Sequence, residues 1–126
     1  MNNWLLDTNA LIWYFQGSPR MSPVQEIFLL PDTKVYYSSV SLWEIALKFR
    51  IGKLPINVNQ LVSFLNEYDF NELAFTGRYI QAYLDLTLHH KDPFDHMILA
   101  QALTCPMRLI TGDEILKEYS SLVMLV

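Results

Sequence analysis

Near its N-terminus the chain reads Trp4-Leu5-Leu6-Asp7-Thr8-Asn9-Ala10-Leu11-Ile12-Trp13. The three apolar residues before Asp7 predict a short buried strand, and Thr8 is predicted to cap a helix over residues 9–16. This helix is apolar on all sides, so we expect it to lie in the core or in an interface with a partner. The stretch therefore predicts a strand–helix unit with an acid at its junction.

Outward from this unit, predicted strands and helices alternate along the chain. Four further segments are predicted strands: residues 34–38, 72–75, 108–111 and 122–126. Capping residues, prolines and apolar periodicity predict the remaining helices: residues 24–30, 41–49, 59–68, 76–86, 92–105 and 113–119. Such alternation predicts an α/β fold with a mostly parallel central sheet of about five strands and helices on both faces.

The composition narrows the class of protein. A chain of 126 residues, 52% of them hydrophobic, has the size and apolar content of one domain with one core. The N-terminus has no basic region typical of a secretory signal, and no apolar run approaches the roughly 18 residues of a membrane span. One cysteine, Cys105, excludes an intrachain disulfide. We therefore expect a soluble, cytoplasmic protein with no membrane partner.

The net charge of −4 disfavours a protein that binds nucleic acid through a broad basic surface. It is compatible with an enzyme whose metal ions contact the phosphates. The basic residues concentrate at Lys48, Arg50 and Lys53, where a solvated helix end is the structural explanation.

Four acids lie where a predicted strand ends or a predicted helix begins: Asp7, Glu44, Asp95 and Asp113. In a parallel sheet all strand C-termini meet at one edge, so we expect these side chains to face one crevice. Two like charges about 4 Å apart repel by roughly 4 kcal/mol at an effective dielectric near 20. A cluster of carboxylates therefore requires protonation or a cation, and its oxygen ligands suit Mg²⁺ or Mn²⁺.

Three of these acids also have a structural explanation. Glu44 fits the third position of a capping box, Asp95 can offset a helix dipole, and Asp113 can cap the helix that follows it. Asp7 is the acid least expected from architecture alone, because Thr8 is available as the cap.

Other kinds of site are disfavoured. The four glycines are scattered singly, so no phosphate-binding loop is present, and one cysteine cannot build a cysteine-based zinc site. His89, His90 and His96 lie near the acids, but adjacent histidines cannot easily reach one ion together. An aspartyl-phosphate enzyme would want a second acid two residues after Asp7, where this chain has Asn9.

Five segments, taken in order, resemble the PIN domain, and most closely the VapC-type toxin ribonucleases of prokaryotic toxin–antitoxin pairs. The matching motifs are Leu5-Leu6-Asp7-Thr8-Asn9, Ser38-Ser39-Val40-Ser41-Leu42-Trp43-Glu44, Lys48-Phe49-Arg50-Ile51-Gly52-Lys53, Asp92-Pro93-Phe94-Asp95 and Leu109-Ile110-Thr111-Gly112-Asp113. Any one motif is weak evidence, but five in series are highly specific. The resemblance implies one PIN domain over residues 1–126.

The resemblance also implies a function: metal-dependent hydrolysis of RNA phosphodiesters by an endoribonuclease. Its acidic quartet, which holds Mg²⁺ or Mn²⁺ and is catalytic, corresponds to Asp7, Glu44, Asp95 and Asp113. Asp7 and Asp95 would be direct ligands, and the other two would bind a second ion or orient water. Six further positions are implied to support the acids or handle substrate: Thr8, Asn9, Asp92, Thr111, Lys48 and Arg50.

Within that set, the resemblance implies distinct roles. Asp92 would cap its helix and support the acids from beside the site, and Lys48 or Arg50 would guide RNA or support the transition state. The chain departs from the family pattern at two positions. His96 stands where an arginine often follows the Asp-Pro-Phe-Asp motif, and Asn9 stands where this subfamily often has histidine.

Toxins of this type pair with a small VapB-like antitoxin, whose tail fills the active-site groove, and they commonly form homodimers. Two alternatives stay open from the sequence. One is a catalytically inactive PIN-like binding or scaffold domain. The other is a phospho-aspartate phosphatase or receiver-like protein that uses Asp7.

Overall fold

The computed structural model describes residues 2–87 and 92–126. A sheet of five parallel strands has the order β3-β2-β1-β4-β5. The strands are β1 (Asn3–Leu6), β2 (Lys34–Ser38), β3 (Asn71–Leu73), β4 (Arg108–Thr111) and β5 (Val123–Leu125). The sequence-based prediction of an α/β fold with a parallel five-stranded sheet is confirmed.

Helices connect the strands within the described part of the chain. They are α1 (Thr8–Phe15), α2 (Ser22–Phe28), α3 (Ser39–Arg50), α4 (Val58–Glu67), α5 (Ile80–Asp85) and α6 (Pro93–Thr104). Three short 3₁₀ helices are Pro19–Met21, Gly77–Tyr79 and Glu114–Glu118, so the predicted helix 76–86 is partly 3₁₀ and the predicted helix 113–119 is 3₁₀. None of the helices in residues 2–87 and 92–126 has the length and apolar character to cross a bilayer.

The central strand β1 is covered on both faces. Leu6 packs in a cluster with residues of α1, α2 and α4, including Leu11, whereas Leu5 packs in a second cluster with Ile98 of α6. Leu5 and Leu6 are fully buried. Two-sided burial explains why this strand is a continuous apolar run instead of an alternating one.

The order of the strands places a crevice at one edge of the sheet. From β1 the chain proceeds to β2 and β3 on one side, and later crosses to β4 and β5 on the other. The C-terminal ends of β1 and β4 are adjacent at this switch in direction, which is where open α/β sheets bind ligands. The Asp7 N–H donates to the Ile110 carbonyl at 3.0 Å and joins the two strand ends.

Candidate active site

Asp7 lies at the junction of β1 and α1 and is only 3% exposed. Its Oδ1 accepts a hydrogen bond from the Ala10 N–H at 2.8 Å, so Asp7 is the N-cap of α1. The prediction that Thr8 caps this helix was wrong. Thr8 already has helical geometry. The residue before it, Asp7, is extended, and its side chain can therefore accept a hydrogen bond from the first turn of α1. Asp7 therefore has a structural role, contrary to expectation.

Thr8 serves a different purpose from the one predicted. It is buried, and its Oγ1 lies 3.0 Å from Ser41 Oγ, so it joins the start of α1 to α3. Asn9, one residue further, is exposed in the first turn of α1.

Thr111 connects two of the predicted acids. Its hydroxyl donates a hydrogen bond to Asp7 Oδ2, and its Oγ1 accepts one from the Asp113 N–H at 3.0 Å. Asp113 in turn caps the 3₁₀ helix Glu114–Glu118 by accepting from the Ile115 N–H at 3.0 Å. A buried threonine thus bridges the residues that follow β1 and β4.

Glu44 lies in the second turn of α3 and points into the protein, with 5% of it exposed. The predicted capping box of Ser41 and Glu44 was wrong. Strand β2 continues directly into α3, so the helix begins earlier and is capped by Ser38. Glu44 Oε2 accepts a hydrogen bond from Lys48 Nζ at 2.6 Å. Within the described residues, Glu44 Oε1 is buried with no hydrogen-bond partner.

Asp92 and Asp95 both lie at the start of α6. Asp92 Oδ1 accepts from the N–H groups of Phe94 and Asp95 at 3.0 and 3.3 Å, which confirms the predicted cap. Asp95 is partly buried in the first turn of the helix. The two acids therefore differ in position: Asp92 is the N-cap of α6, and Asp95 lies within its first turn.

The charges of the predicted acids influence the pKa values of Asp7 and Asp95. Burial raises the pKa of Asp7 to about 6; the hydrogen bonds from Thr111 and Ala10 lower this pKa, whereas the charges of Glu44 and Asp113 raise it. The pKa of Asp95 is raised to about 8, first by burial and then by the charges of Asp92, Asp7, Glu44 and Asp113. The charges of Glu44 and Asp113 therefore act on both Asp7 and Asp95, as expected of carboxylates near one another.

The donor set fits a hard divalent cation. It consists of carboxylate oxygens, one of which is the buried Glu44 Oε1, without a hydrogen-bond partner among the residues that the structure describes, and oxygen ligands are those that Mg²⁺ and Mn²⁺ prefer. Within residues 2–87 and 92–126, no three His, Cys, Asp or Glu side chains already converge as a complete metal site.

The histidines do not form an alternative centre in the described structure. His96 is buried, and its Nε2 lies 3.3 Å from the hydroxyl of Tyr119, which also donates to the Thr87 carbonyl. His89 and His90 lie outside the described residues. His96 thus joins α6 to the segment before β5.

The two predicted basic residues differ in their relation to the acids. Lys48 is one helical turn from Glu44 and bonded to it, whereas Arg50 is exposed at the end of α3.

Sequence reasoning missed two side chains. Gln101 is buried and ties α6 to two strands, because Ser38 Oγ donates to its Oε1 at 2.5 Å and its Nε2 donates to the Leu73 carbonyl at 3.1 Å. The sequence feature that could have predicted this role is that Gln101 is a single amide within an apolar stretch of α6. Arg20 stacks on Trp13 and donates a hydrogen bond to the Val126 carbonyl. No local sequence pattern predicts the contact with Val126.

The fold and the site define a class of α/β domain with an acidic crevice at the carboxyl edge of a parallel sheet. The chain belongs to the PIN-domain family, whose model matches residues 4–122. The predicted fold family is therefore confirmed. No curated protein matches the chain by sequence.

Several solved structures share this fold. VapBC2 from Rickettsia felis, bound to a DNA fragment from its promoter, is 16% identical with a TM-score of 0.71 over 98% of this chain and 97% of that chain. A toxin–antitoxin complex from Klebsiella pneumoniae is 20% identical with a TM-score of 0.68 over 95% and 94%. FitAB bound to an IR36 DNA fragment is 21% identical with a TM-score of 0.62 over 87% and 85%.

Proposed function

We propose that this protein is a divalent-metal-dependent endoribonuclease, the toxin of a VapBC-like toxin–antitoxin pair. The observation that carries the proposal is that Asp7 and Asp95, at one sheet edge, both have raised pKa values, to which burial contributes first and the charges of Glu44 and Asp113 contribute further. PIN domains are generally nucleases, which supports hydrolysis of a phosphodiester as the reaction. Burial is the largest cause of both raised pKa values, and carboxylates with strongly perturbed pKa values in a crevice are typical of functional sites.

The four acids would have different roles in metal binding. Asp7 and Asp95 would hold Mg²⁺ or Mn²⁺ directly, and Glu44 and Asp113 would bind a second ion or orient water. When bound, the ion supplies a water of lowered pKa and offsets the charge that develops on the phosphate. Thr111 fixes Asp7 Oδ2 and the backbone of Asp113, so the two acids keep their relative position without an ion.

A phospho-aspartate reaction at Asp7 is less well supported. Both carboxylate oxygens of Asp7 accept hydrogen bonds, from Ala10 and Thr111, and the residue is 3% exposed. A nucleophilic oxygen would have to leave one of these bonds before it could attack a phosphoryl donor. Covalent beryllofluoride on Asp7 would support that alternative, whereas an inactive scaffold would neither react nor cleave RNA.

The proposal includes a small VapB-like antitoxin and a homodimer. Its support is the outer side of α1, where Tyr14 and Phe15, with Phe64 and Tyr68 of the α4 region, line an open cavity of about 230 Å³. Tyr68 is 54% exposed there. Sedimentation should give twice the 14.7 kDa mass of the chain. An antitoxin that covers this cavity in addition to placing its tail in the active-site groove should bind the Tyr68→Asp variant more weakly than wild type.

Cleavage of RNA by the purified chain tests the activity. Wild type should cut single-stranded RNA with Mn²⁺ and stop on chelation. Asp7→Asn should slow cleavage by on the order of 100-fold or more, because losing a metal ligand costs several kcal/mol of transition-state stabilisation. Asparagine caps helices as well as aspartate does, so this variant should keep its fold.

Asp85→Asn is the matched control, since Asp85 is an exposed acid of α5 that bonds to Gln81. It should cleave at the wild-type rate. Equal cleavage by wild type and Asp7→Asn would overturn the proposed mechanism.

A further inference from the structure

The substrate of the proposed reaction is a polyanion, but acids line the site that would receive it. Phosphates beside the scissile bond therefore need cationic partners from the protein. Lys48 is bonded to Glu44 at 2.6 Å, so its charge is already engaged. Another cation near the crevice would be the more available one.

Arg20 is a cation held in one orientation at the surface. It lies in the 3₁₀ helix Pro19–Met21, and its guanidinium carbon is 3.9 Å from the centroid of the Trp13 ring. Its Nη2 also donates to the Val126 carbonyl at 3.1 Å, although the residue is exposed. A surface arginine usually samples many rotamers. The contacts of Arg20 with the Trp13 ring and with the Val126 carbonyl restrict its rotamers.

Gly112 connects this arginine to the acidic crevice. A Cβ built on Gly112 would overlap the Trp13 ring and lie 3.0 Å from Arg20 Nη2. Gly112 stands between Thr111, which donates to Asp7, and Asp113. The guanidinium therefore packs against the backbone that carries two residues of the site.

The chemistry of arginine suits a phosphodiester. A guanidinium presents five N–H donors in a rigid plane that matches two phosphate oxygens, and the bond to Val126 uses only one nitrogen. Stacking on Trp13 fixes the plane of the fork, so less entropy is lost when phosphate binds.

We propose that Arg20, oriented by Trp13, is a substrate-positioning residue that binds a phosphate of single-stranded nucleic acid adjacent to the one cleaved. This inference rests on the proposed nuclease function and adds a residue to it. The competing account is structural: Arg20 ties the C-terminus to the segment after α1 and does not touch substrate.

Binding of a single-stranded RNA oligonucleotide, measured by fluorescence anisotropy without divalent ions over a series of KCl concentrations, separates the two accounts. Arg20→Gln keeps an N–H donor for Val126 but removes the charge. We expect about tenfold weaker binding and a slope of log K against log salt that is smaller by about 0.7, the value for one lost phosphate contact on a single strand. A structural role would change thermal stability and leave the slope unaltered.

Arg108→Gln is the matched control. Arg108 is also an exposed arginine above a tryptophan, 5.2 Å from the Trp4 ring centroid, but it lies at the opposite end of β4. Its loss should change neither the affinity nor the salt slope. Arg20→Lys restores the charge without the planar fork, so it should recover the slope and only part of the affinity.

Cleavage kinetics with Mn²⁺ complete the test. Arg20→Gln should raise KM by about tenfold with a smaller change in kcat, as expected when uniform substrate binding is lost. Wild-type values of affinity, slope and KM in this variant would overturn the inference while leaving the nuclease intact. A wild-type protein that neither binds nor cuts RNA would overturn both. If Arg20→Gln fails to fold, Arg20→Lys carries the test, and wild-type affinity and KM in it would contradict bidentate binding.

Discussion

The hydroxyl of Thr111, at the end of β4, donates a hydrogen bond to Asp7 Oδ2, at the end of β1. The two residues are 104 positions apart in sequence, and their bond spans the crevice at the switch point of the sheet. The same threonine oxygen accepts from the Asp113 N–H. Two acids of the proposed site are thus positioned by one buried hydroxyl, independently of any ion.

Thr111→Val tests this arrangement. The variant keeps the shape of the side chain but removes the hydrogen bond that lowers the pKa of Asp7, so this pKa should rise above about 6. The free energy of unfolding should fall by about 1–3 kcal/mol, since a buried carboxylate oxygen loses its donor. NMR titration and urea denaturation provide the two measurements.

Thr104→Val is the control for that variant. The Thr104 hydroxyl donates to the Ala100 carbonyl at 2.8 Å near the end of α6, away from the acids. Its loss should leave the Asp7 pKa unaltered. An unshifted Asp7 pKa in Thr111→Val would show that the hydroxyl does not set the properties of the carboxylate.

The sequence predicted the sheet well, because its strands carry local signals. Residues 34–38 and 108–111 were predicted as strands and form β2 and β4 with the same bounds. The Asp92-Pro93 pair predicted the start of α6 for a reason that is equally local: a capping side chain followed by a residue without an N–H.

The details of the site were less predictable, since they depend on long-range contacts. Ser41 matched the capping-box pattern, but β2 leads directly into α3, so Ser38 caps the helix and Ser41 contacts Thr8 instead. The bonds of Asp7 to Thr111 and of Arg20 to Val126 join opposite ends of the chain. A short stretch of sequence does not determine which residues distant in sequence form hydrogen bonds with each other.

The stability of the ion-free protein should fall as pH rises. Asp7 and Asp95 have pKa values of about 6 and about 8 in the folded state, against 3.8 for an ordinary aspartate. The folded state therefore holds more protons than the unfolded chain between pH 3.8 and about 8, and the free energy of unfolding decreases through that window. Urea midpoints in a series of buffers with a chelator measure this trend.

Saturating Mn²⁺ should restore stability at the alkaline end of the window, because the ion offsets the charge of the carboxylates. Asp95→Asn should flatten the part of the ion-free curve between about pH 6 and about pH 8. Ion-free stability that increases with pH over the whole window would contradict the raised pKa values.

Glu44→Gln should separate metal binding from folding. Mn²⁺ affinity, measured by calorimetry, should fall by about tenfold or more, because an amide replaces a charged ligand. The ion-free stability should change by less than about 1 kcal/mol, because the ion pair lost with the partly exposed Lys48 is offset by relief of repulsion on Asp7. Glu67→Gln, an exposed position at the end of α4, is the control. Unchanged Mn²⁺ affinity in Glu44→Gln would remove Glu44 from the site.

Gly112→Ala should damage the site through packing alone. The added methyl group would overlap the Trp13 ring, with Cζ3 at 2.8 Å, so either that ring or the backbone between Thr111 and Asp113 must shift. We expect a loss of about 1–3 kcal/mol in stability, as for other overpacked positions, together with weaker Mn²⁺ binding. Gly77→Ala should be close to neutral, because nothing lies within 4 Å of its added methyl group. Equal melting temperatures for the two variants would contradict the close contact.

The most direct test of the metal-centre proposal is the location of Mn²⁺ by anomalous diffraction from crystals soaked in that ion. We expect an anomalous peak at the carboxyl edge of the sheet, ligated by Asp7 and Asp95, with Glu44 or Asp113 bound directly or through water. The peak should be absent in Asp7→Asn crystals soaked in the same way. A protein that cleaves RNA with Mn²⁺ but shows no peak at these acids would contradict the proposed centre.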